Sequence, residues 1–194
     1  MWKLAQDCLI CFGPREGKQH TFVLFDEWLP KARPKPRDEA LAELARRYFE
    51  SHGPATVADF AWWSGLTLSA AREAVDSVRL SKVELEAGTM YFAAEQTFDE
   101  DTFALPAFDE LLVAYTDRSA ALDVAHKLKV NDGGGILKPT VVFDARVVAT
   151  WKRTLTRKEV KVKVKPFAKA PPDKTVRPAF ERYAAFVGRA LAAR

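Results

Sequence analysis

Apolar residues recur at helical spacing through residues 38–51, while the positions between them are mainly polar or charged. An acidic first turn favours a helix start at this point, and Gly53 with Pro54 would end the helix. The pattern predicts an amphipathic helix over residues 38–51. Its predicted buried face consists of Leu41, Leu44, Ala45, Tyr48 and Phe49.

A second, shorter helix is predicted directly after the first. Thr56 can cap it, and Asp59 stands where a capping-box carboxylate belongs. Phe60 and Trp63 fall on one face, and Gly65 ends the helix after about two turns.

A third helix and a hairpin complete this region. The helix can begin at Thr67 or Ser69, and residues 82–93, with Gly88 at the centre, are typical of a hairpin. The order helix, helix, turn, helix, hairpin is that of a winged helix. Short helices joined by glycine turns also form plain helical subdomains with tryptophan in the core, and this alternative stays open. The apolar positions predicted to be buried on the third helix are Leu68, Ala71, Val75 and Val78.

The remaining chain combines strands with helices. Residues 138–143 and 147–153 predict a hairpin, and valine and lysine alternate strictly through residues 160–165. In a strand this alternation places the valines on the core side and the lysines on the other. Helices are predicted over residues 119–128 and 175–193.

These elements predict an α/β fold of the α+β type, in which a winged helix-turn-helix precedes a part rich in β-hairpins and a C-terminal helix. The predicted domains are an N-terminal strand or linker segment (1–37), a winged helix domain (38–94) and a β-rich C-terminal domain with its closing helix (95–194).

Composition agrees with an ordered globular chain. Its 194 residues are 48% hydrophobic and 11% aromatic, enough to bury a core. No apolar run reaches the roughly twenty residues of a membrane span, and no signal pattern is present, so we expect a cytoplasmic protein that does not engage the membrane.

Candidate metal and cofactor motifs are weak. Cys8 and Cys11 form a lone Cys-x-x-Cys in an apolar setting, which favours two reduced core thiols over half of a zinc site. The glycine-rich segment 131–135 lacks the Lys-Ser/Thr of a phosphate-binding loop. We therefore expect neither a metal nor a small-molecule cofactor. The histidines show no ligand spacing, and they are His20, His52 and His126.

The net charge of +4 is unevenly distributed. Segment 152–177 carries ten basic and two acidic residues, and thus +8. The alternating lysines Lys161, Lys163 and Lys165 would stand about 7 Å apart, close to the phosphate spacing of one DNA strand. Lysines on an edge strand also prevent aggregation without any partner. Together with Trp151, Lys152 and Arg153 on the preceding hairpin, the lysines predict a surface that contacts phosphates.

The third helix of the predicted winged helix carries few side chains suited to recognising the base sequence of DNA. Arg72 and Arg79 are candidate DNA contacts, but Glu73 and Asp76 share their exposed face. Base readout usually uses Arg, Lys, Asn or Gln supported by basic flanks. The helix is thus predicted to support the fold more than to recognise the base sequence.

Three blocks in a fixed order carry a family resemblance: HGPATVADFAWWSGL at 52–66, LPAFDELLVAYTDRS at 105–119, and the hairpin from KPTVVF at 138–143 to VVATWKR at 147–153. With them the chain resembles a bacterial family of winged-helix DNA-binding-domain proteins that includes the alkylpurine and interstrand-crosslink DNA glycosylases. The resemblance implies tandem winged helices and a terminal β-rich part around a DNA-sized channel. It also implies a protein about twice this length, of which this chain corresponds to the carboxy-terminal half.

The resemblance also implies where catalysis would lie. Glycosylases of this family carry a Gln-x-Gln or Gln-x-Asp pair in their amino-terminal half. Here Gln6 is followed by Asp7, Gln19 by His20, and Gln96 stands three residues before Asp99, so no such pair is present. No catalytic residue is carried over, and enzymatic activity stays an open question.

The sequence thus predicts a DNA-repair-related protein that binds duplex DNA largely independently of sequence through a basic β surface. Two alternatives stay open: the carboxy-terminal portion of a DNA glycosylase without its catalytic strand, and a structural or interaction module that does not bind DNA.

One departure from the family concerns Ala145 and Ala149, where relatives usually carry glycine. A two-residue turn at Asp144 and Ala145 would need positive φ angles, which cost alanine roughly 1–2 kcal/mol.

Overall fold

The computed structural model describes residues 1–31, 33–85, 88–93, 102–131, 133–168 and 172–192. It has a mixed α+β architecture, as predicted. The chain forms two compact units, Met1–Ala40 and Leu41–Arg194.

The first unit is built around a two-stranded antiparallel hairpin. Its strands are β1 (Ile10–Phe12) and β2 (Phe22–Leu24), flanked by the short helices α1 (Trp2–Gln6) and α2 (Phe25–Trp28). None of its described side chains is fully buried. Cys8 is exposed and Cys11 half-buried, so the prediction of two core thiols is wrong, because this small unit has no interior that could enclose them.

Three helices and a hairpin open the second unit in the predicted order. They are α3 (Arg37–His52), whose first turn still belongs to the first unit, α4 (Val57–Ser64), α5 (Leu68–Asp76), β3 (Ser81–Leu85) and β4 (Gly88–Phe92).

The core of this region forms where the helical pattern predicted it. Ala45, Tyr48 and Phe49 of α3 pack with Phe60 of α4 and Val75 of α5. Leu68 was expected to join them, but it is the first residue of α5 and is 42% exposed. Gly88, expected at the centre of the hairpin, begins β4.

Both predicted caps of α4 are present. The Thr56 hydroxyl accepts a hydrogen bond from the Asp59 amide, and the Thr56 amide donates to the Asp59 carboxylate. Gly65 ends the helix with a φ of 73°, a left-handed conformation that glycine adopts at little cost.

A five-stranded sheet organises the rest of the second unit. Its strands follow chain order, and all neighbours are antiparallel except β8 and β9, which are parallel. The strands are β5 (Thr102–Leu105), β6 (Thr140–Phe143), β7 (Arg146–Leu155), β8 (Glu159–Pro166) and β9 (Ala190–Leu191). The accompanying helices are α6 (Glu110–Val113), a 3-10 turn (Val124–His126), α7 (Lys127–Val130) and α8 (Asp173–Phe186).

Two predicted helices differ from the observed ones. Residues 119–128 do not form one helix, because Asp117 and Asp123 accept hydrogen bonds from nearby amides and thereby favour local turns. The C-terminal helix ends at Phe186, since Gly188 turns the chain with a φ of 65° and Ala190 and Leu191 pair with β8. No helix in the described part of the chain is long and apolar enough to cross a bilayer.

Candidate nucleic-acid interface

Four lysines share one face of the hairpin formed by β7 and β8. Lys152 lies opposite Lys163, while Lys161 and Lys165 pair with Thr154 and Thr150. Cross-strand partners point to the same side of a sheet, and residues two apart along a strand do so as well. Lys152, Lys161, Lys163 and Lys165 therefore form one continuous surface, which we call the lysine face. All four are exposed.

One acidic side chain, that of Glu159 at the start of β8, lies on the same side of the strand as the lysine face, two residues before Lys161. Within the described residues, none of the four lysines takes part in an ion pair, and their cross-strand partners are threonines or another lysine. On the side of β8 away from β7, the described sheet continues only at the first two residues of β8. The next strand, β9, pairs only with Glu159 and Val160. The arrangement suits an extended polyanion, and it also suits protection of a sheet edge.

Trp151 belongs to the opposite, buried face of β7. Its side chain is 3% exposed, and its indole Nε1 donates to the carbonyl oxygens of Leu105 at 2.9 Å and Thr140 at 3.1 Å. It packs edge-on against Phe180 of α8. The prediction that Trp151 contacts DNA is corrected, because a neighbour of Lys152 in a strand points the other way.

Arg153 also lies on the face opposite the lysines. Its guanidinium lies 5.5 Å from the centre of the Tyr183 ring and donates a hydrogen bond to the Tyr183 hydroxyl. Although Arg153 is exposed, the structure does not place it with Lys152. It extends the surface of α8 and not the lysine face.

The exposed side of α5 carries mixed charges, as predicted. Arg72, Glu73 and Asp76 are exposed on the helix, and Arg79 is exposed just after it. Ser69 donates to the Glu73 carboxylate at 3.3 Å. Arg72 and Arg79 are therefore available at the surface, but they belong to different elements from the lysine face.

The sequence blocks that carry the family resemblance have a structural role. The Asp59 carboxylate is 6% exposed and accepts hydrogen bonds from the amide and hydroxyl of Thr116, each at 2.7 Å. Burial raises the pKa of Asp59, but the hydrogen bonds from Thr116 and Thr56 outweigh this effect and hold its pKa below the ordinary value. Asp59 thereby joins α4 to the segment after α6.

The tryptophan pair of α4 strengthens the same junction. Trp62 donates from Nε1 to the carbonyl oxygen of Val113 at 2.9 Å, and Trp63 donates to the Glu110 carboxylate at 3.1 Å. The Tyr115 hydroxyl donates to the carbonyl oxygen of His52 at 2.8 Å. Residues 52–66 and 105–119, two of the blocks that carry the family resemblance, thus bind each other.

The polar residues of the middle block cap turns. Asp109 accepts from the Leu111 amide at 3.0 Å and begins α6. Asp117 is exposed and accepts from the amide and hydroxyl of Ser119, bonds that lower its pKa. A buried ion pair between Asp117 and Arg118 is therefore not formed.

No catalytic constellation was identified among the described residues. Gln6 lies in α1 and Gln19 in the loop between β1 and β2, while Gln96 lies outside the described residues. The described part of the chain also contains no group of three or more His, Cys, Asp or Glu side chains arranged to hold a metal.

Comparisons with known proteins place this geometry in context. The profile of a family described as "DNA glycosylase AlkZ-like" matches residues 1–188. Among solved structures, Streptomyces sahachiroi DNA glycosylase AlkZ matches 97% of this chain with a TM-score of 0.76 and 24% identity, which shows a shared fold. The chain spans 55% of the length of that protein. The comparison with curated proteins gave no match.

Proposed function

The chain belongs to the AlkZ-like family of DNA glycosylases, and from this premise we propose that it binds duplex DNA through the lysine face in the service of DNA repair. The single observation that carries the proposal is the alignment of Lys152, Lys161, Lys163 and Lys165 on one side of β7 and β8. Successive lysines on a strand stand about 7 Å apart, which is close to the spacing of phosphates along one DNA strand.

We propose that recognition is largely independent of sequence. Lysine binds phosphate as a point charge, and phosphate contacts carry no direct information about the base. The mixed charges on α5 offer no cluster of base-reading side chains. The affinity should therefore depend steeply on salt, with each phosphate contact contributing about 0.9 to the slope of log K against log salt concentration.

The helical region is proposed to act as a winged-helix scaffold. The order of α3, α4, α5, β3 and β4 is that of a winged helix, and this supports the assignment. The proposed domains remain a segment over residues 1–37, the winged helix over 38–94 and the β-rich part over 95–194. Arg72 and Arg79 would make secondary contacts with phosphate.

A second candidate function is that of the carboxy-terminal portion of a DNA glycosylase. It is favoured by the 55% coverage of the solved relative together with the missing Gln-x-Gln or Gln-x-Asp alternation. In this case the chain would hold the duplex, and the catalytic pair would come from another stretch of polypeptide.

The experiment that tests the proposal is fluorescence anisotropy of a labelled duplex at low and moderate salt. The Lys161→Glu/Lys163→Glu/Lys165→Glu variant is compared with wild type and with Lys18→Glu/Lys31→Glu/Lys35→Glu, which changes the net charge equally but lies in the first unit. Circular dichroism checks that every variant is folded. We expect the lysine-face variant to lose binding and the control variant to retain most of it.

The other outcomes separate the alternatives. Failure of wild type to bind at low salt would leave the lysine face as protection of a sheet edge and would contradict the proposal. Equal losses in both variants would show that net charge, not the lysine face, carries the affinity. A duplex with an alkylated base, titrated in parallel, tests the proposed role in DNA repair. A higher affinity for the damaged duplex would support that role.

A further inference from the structure

A pocket of about 340 Å³ lies between the 3-10 turn Val124–His126, the start of β7 and Phe167, the residue after β8. We call it the ring pocket. Its volume falls within the roughly 300–1,000 Å³ of small-molecule sites in proteins. Phe167 follows Lys165 by two residues, so a nucleic-acid strand that runs along the lysine face would come next to this pocket.

Two aromatic side chains line the ring pocket. The centres of the His126 and Phe167 rings lie 4.8 Å apart, with 58° between their planes, and Val147 and Val148 add apolar surface. The buried Nδ1 atom of His126 has no hydrogen-bond partner in the described part of the chain, so no bond holds the ring at that atom. Aromatic side chains of this kind are the usual surface on which proteins stack nucleobases.

Arg146 brings a positive charge to the ring pocket. Its Nη1 donates to the carbonyl oxygen of Ser119 at 3.1 Å, and the guanidinium has further N–H donors. Within the described residues Arg146 forms no ion pair. An arginine that is held at one nitrogen and has donors to spare suits a phosphate group.

Asp123 brings an acceptor of opposite charge. Its Oδ1 accepts a hydrogen bond from the Ala125 amide at 2.8 Å, while Oδ2 accepts none from the described residues. A carboxylate repels a bare phosphate and attracts N–H donors. Guanine presents two neighbouring donors on one edge, its ring N1–H and its amino group. Adenine presents its amino group beside an acceptor nitrogen, which a carboxylate repels.

We infer that the ring pocket binds the guanine base of an unpaired nucleotide. The base packs against Phe167 and His126 and donates to Asp123, while Arg146 holds the phosphate. The nucleotide is either free or part of a strand held on the lysine face, and in the second case the inference rests on the proposed DNA binding and extends it to unpaired bases. No chemical step is assigned to the pocket.

The first test examines the pocket without DNA. Guanosine monophosphate, adenosine monophosphate and ribose 5-phosphate are titrated into isotopically labelled protein and followed by NMR. We expect guanosine monophosphate to shift the amides of residues 123, 126, 146 and 167 and to bind about tenfold more tightly than adenosine monophosphate. Equal binding of ribose 5-phosphate, which has no base, would show a phosphate site only and would overturn the inference.

Asp123→Asn tests the recognition of guanine. Asparagine keeps Oδ1 as the acceptor for the Ala125 amide but replaces Oδ2 by an NH2 group, so the preference for guanosine over adenosine monophosphate should fall below about twofold. Asp117→Asn removes the same charge from an exposed turn outside the described pocket lining and should keep the preference. An unchanged preference in Asp123→Asn would contradict the role assigned to this carboxylate.

Phe167→Leu tests the packing of the base, because leucine is apolar but has no ring. We expect guanosine monophosphate to bind about tenfold more weakly to this variant, whereas Phe186→Leu, at a position 88% exposed on α8, should bind like wild type. Equal affinities of the two variants would overturn the inference. Circular dichroism checks folding, and if Phe167→Leu is unfolded, the comparison of Asp123→Asn with Asp117→Asn decides.

The last comparison identifies the source of the nucleotide. Anisotropy is measured with a fully paired duplex and with a duplex that has one unpaired guanine. Tighter binding of the second duplex by wild type, lost in Phe167→Leu, assigns a base of the strand, and equal binding of both duplexes alongside the NMR shifts assigns a free nucleotide. NMR shifts without duplex binding would contradict the proposed function and support the ring pocket. Duplex binding with neither the shifts nor the preference would overturn the ring pocket alone.

Discussion

The Asp59 carboxylate lies between two segments that are far apart in the chain. It binds Thr56 at the start of α4 and Thr116 after α6, and its pKa is lowered by these bonds. We expect Asp59→Asn to lower the free energy of unfolding by about 2 kcal/mol at pH 7, because hydrogen bonds to a charged group are replaced by weaker ones. Urea unfolding followed by circular dichroism measures the change.

The same substitution has a predictable pH dependence. A carboxylate with a lowered pKa stabilises the folded state above its unfolded pKa, and this contribution is lost as the pH falls through the folded pKa. The difference between wild type and Asp59→Asn should therefore shrink below about pH 4. The exposed Asp117, whose partners lie in its own turn, provides the control, and Asp117→Asn should change stability much less. Equal effects of the two substitutions would contradict the role assigned to Asp59.

Ala145 lies in a strained two-residue turn between β6 and β7. Asp144 and Ala145 have φ angles of 48° and 58°, the left-handed region that the sequence suggested such a turn would require. We expect Ala145→Gly to stabilise the protein by about 1 kcal/mol, because glycine adopts this conformation without the cost that a Cβ atom brings. Thermal unfolding at neutral pH is the measurement.

Ala149 gives the matched control for that prediction. It is the other position where relatives carry glycine, but here its side chain is fully buried in β7 and packs in the core of the sheet. Ala149→Gly should therefore destabilise the protein by about 1 kcal/mol. If both glycine substitutions changed stability in the same direction, backbone conformation would not explain the effect at Ala145.

The side of the sheet on which each predicted site residue lies is set by the alternation of side chains along the strand. The alternation of Lys161, Lys163 and Lys165 gave the correct face because the valines between them marked the core. Trp151, Lys152 and Arg153 are consecutive, so one strand cannot present all three on one side. Applying the period of two to this triplet would have separated Lys152 from its neighbours.

At the scale of elements, the proposed DNA binding assigns different contributions to α5 and β8. The exposed side of α5 combines Arg72 with Glu73 and Asp76, so its net potential is small. We expect Arg72→Ala/Arg79→Ala to reduce duplex affinity less than about threefold, while Lys161→Ala/Lys163→Ala reduces it about tenfold and lowers the salt slope by about 2. Both variants lose two positive charges, and anisotropy titrations over a salt series compare them. A larger loss for the arginine variant would make α5 the principal contact.

Long, capped and strongly periodic elements were predictable from the sequence, and short ones were not. Helix α3 and the capped helix α4 follow from apolar spacing and from Thr56 with Asp59. The prediction of one helix over residues 119–128 is wrong because the apolar spacing there competes with aspartate side chains that accept hydrogen bonds from nearby amides. The end of α8 depends on the pairing of Ala190 and Leu191 with β8, a tertiary interaction that helical periodicity does not contain.

At the scale of the whole molecule, the two units differ in how much they bury. The second unit encloses Tyr48, Phe49 and Phe60 at 1% exposure or less, whereas none of the described side chains of the first unit is buried. An isolated two-stranded hairpin is only marginally stable in water, since local opening is resisted mainly by buried contacts. The first unit should therefore open more readily than the helical core of the second.

Hydrogen exchange measured by mass spectrometry tests this difference. We expect amides of β1 and β2 to exchange at least about tenfold faster than those of β4, which forms a comparable short hairpin with β3. The backbone of Tyr91 in β4 also forms two hydrogen bonds with the backbone of Ala55, of 2.8 and 3.0 Å, and Ala55 is buried. Both are two-stranded antiparallel hairpins, with strands of three residues in β1 and β2 and of five in β3 and β4, and they differ in their attachment to a core. Equal protection of the two hairpins would show that burial of neighbouring side chains does not set their local stability.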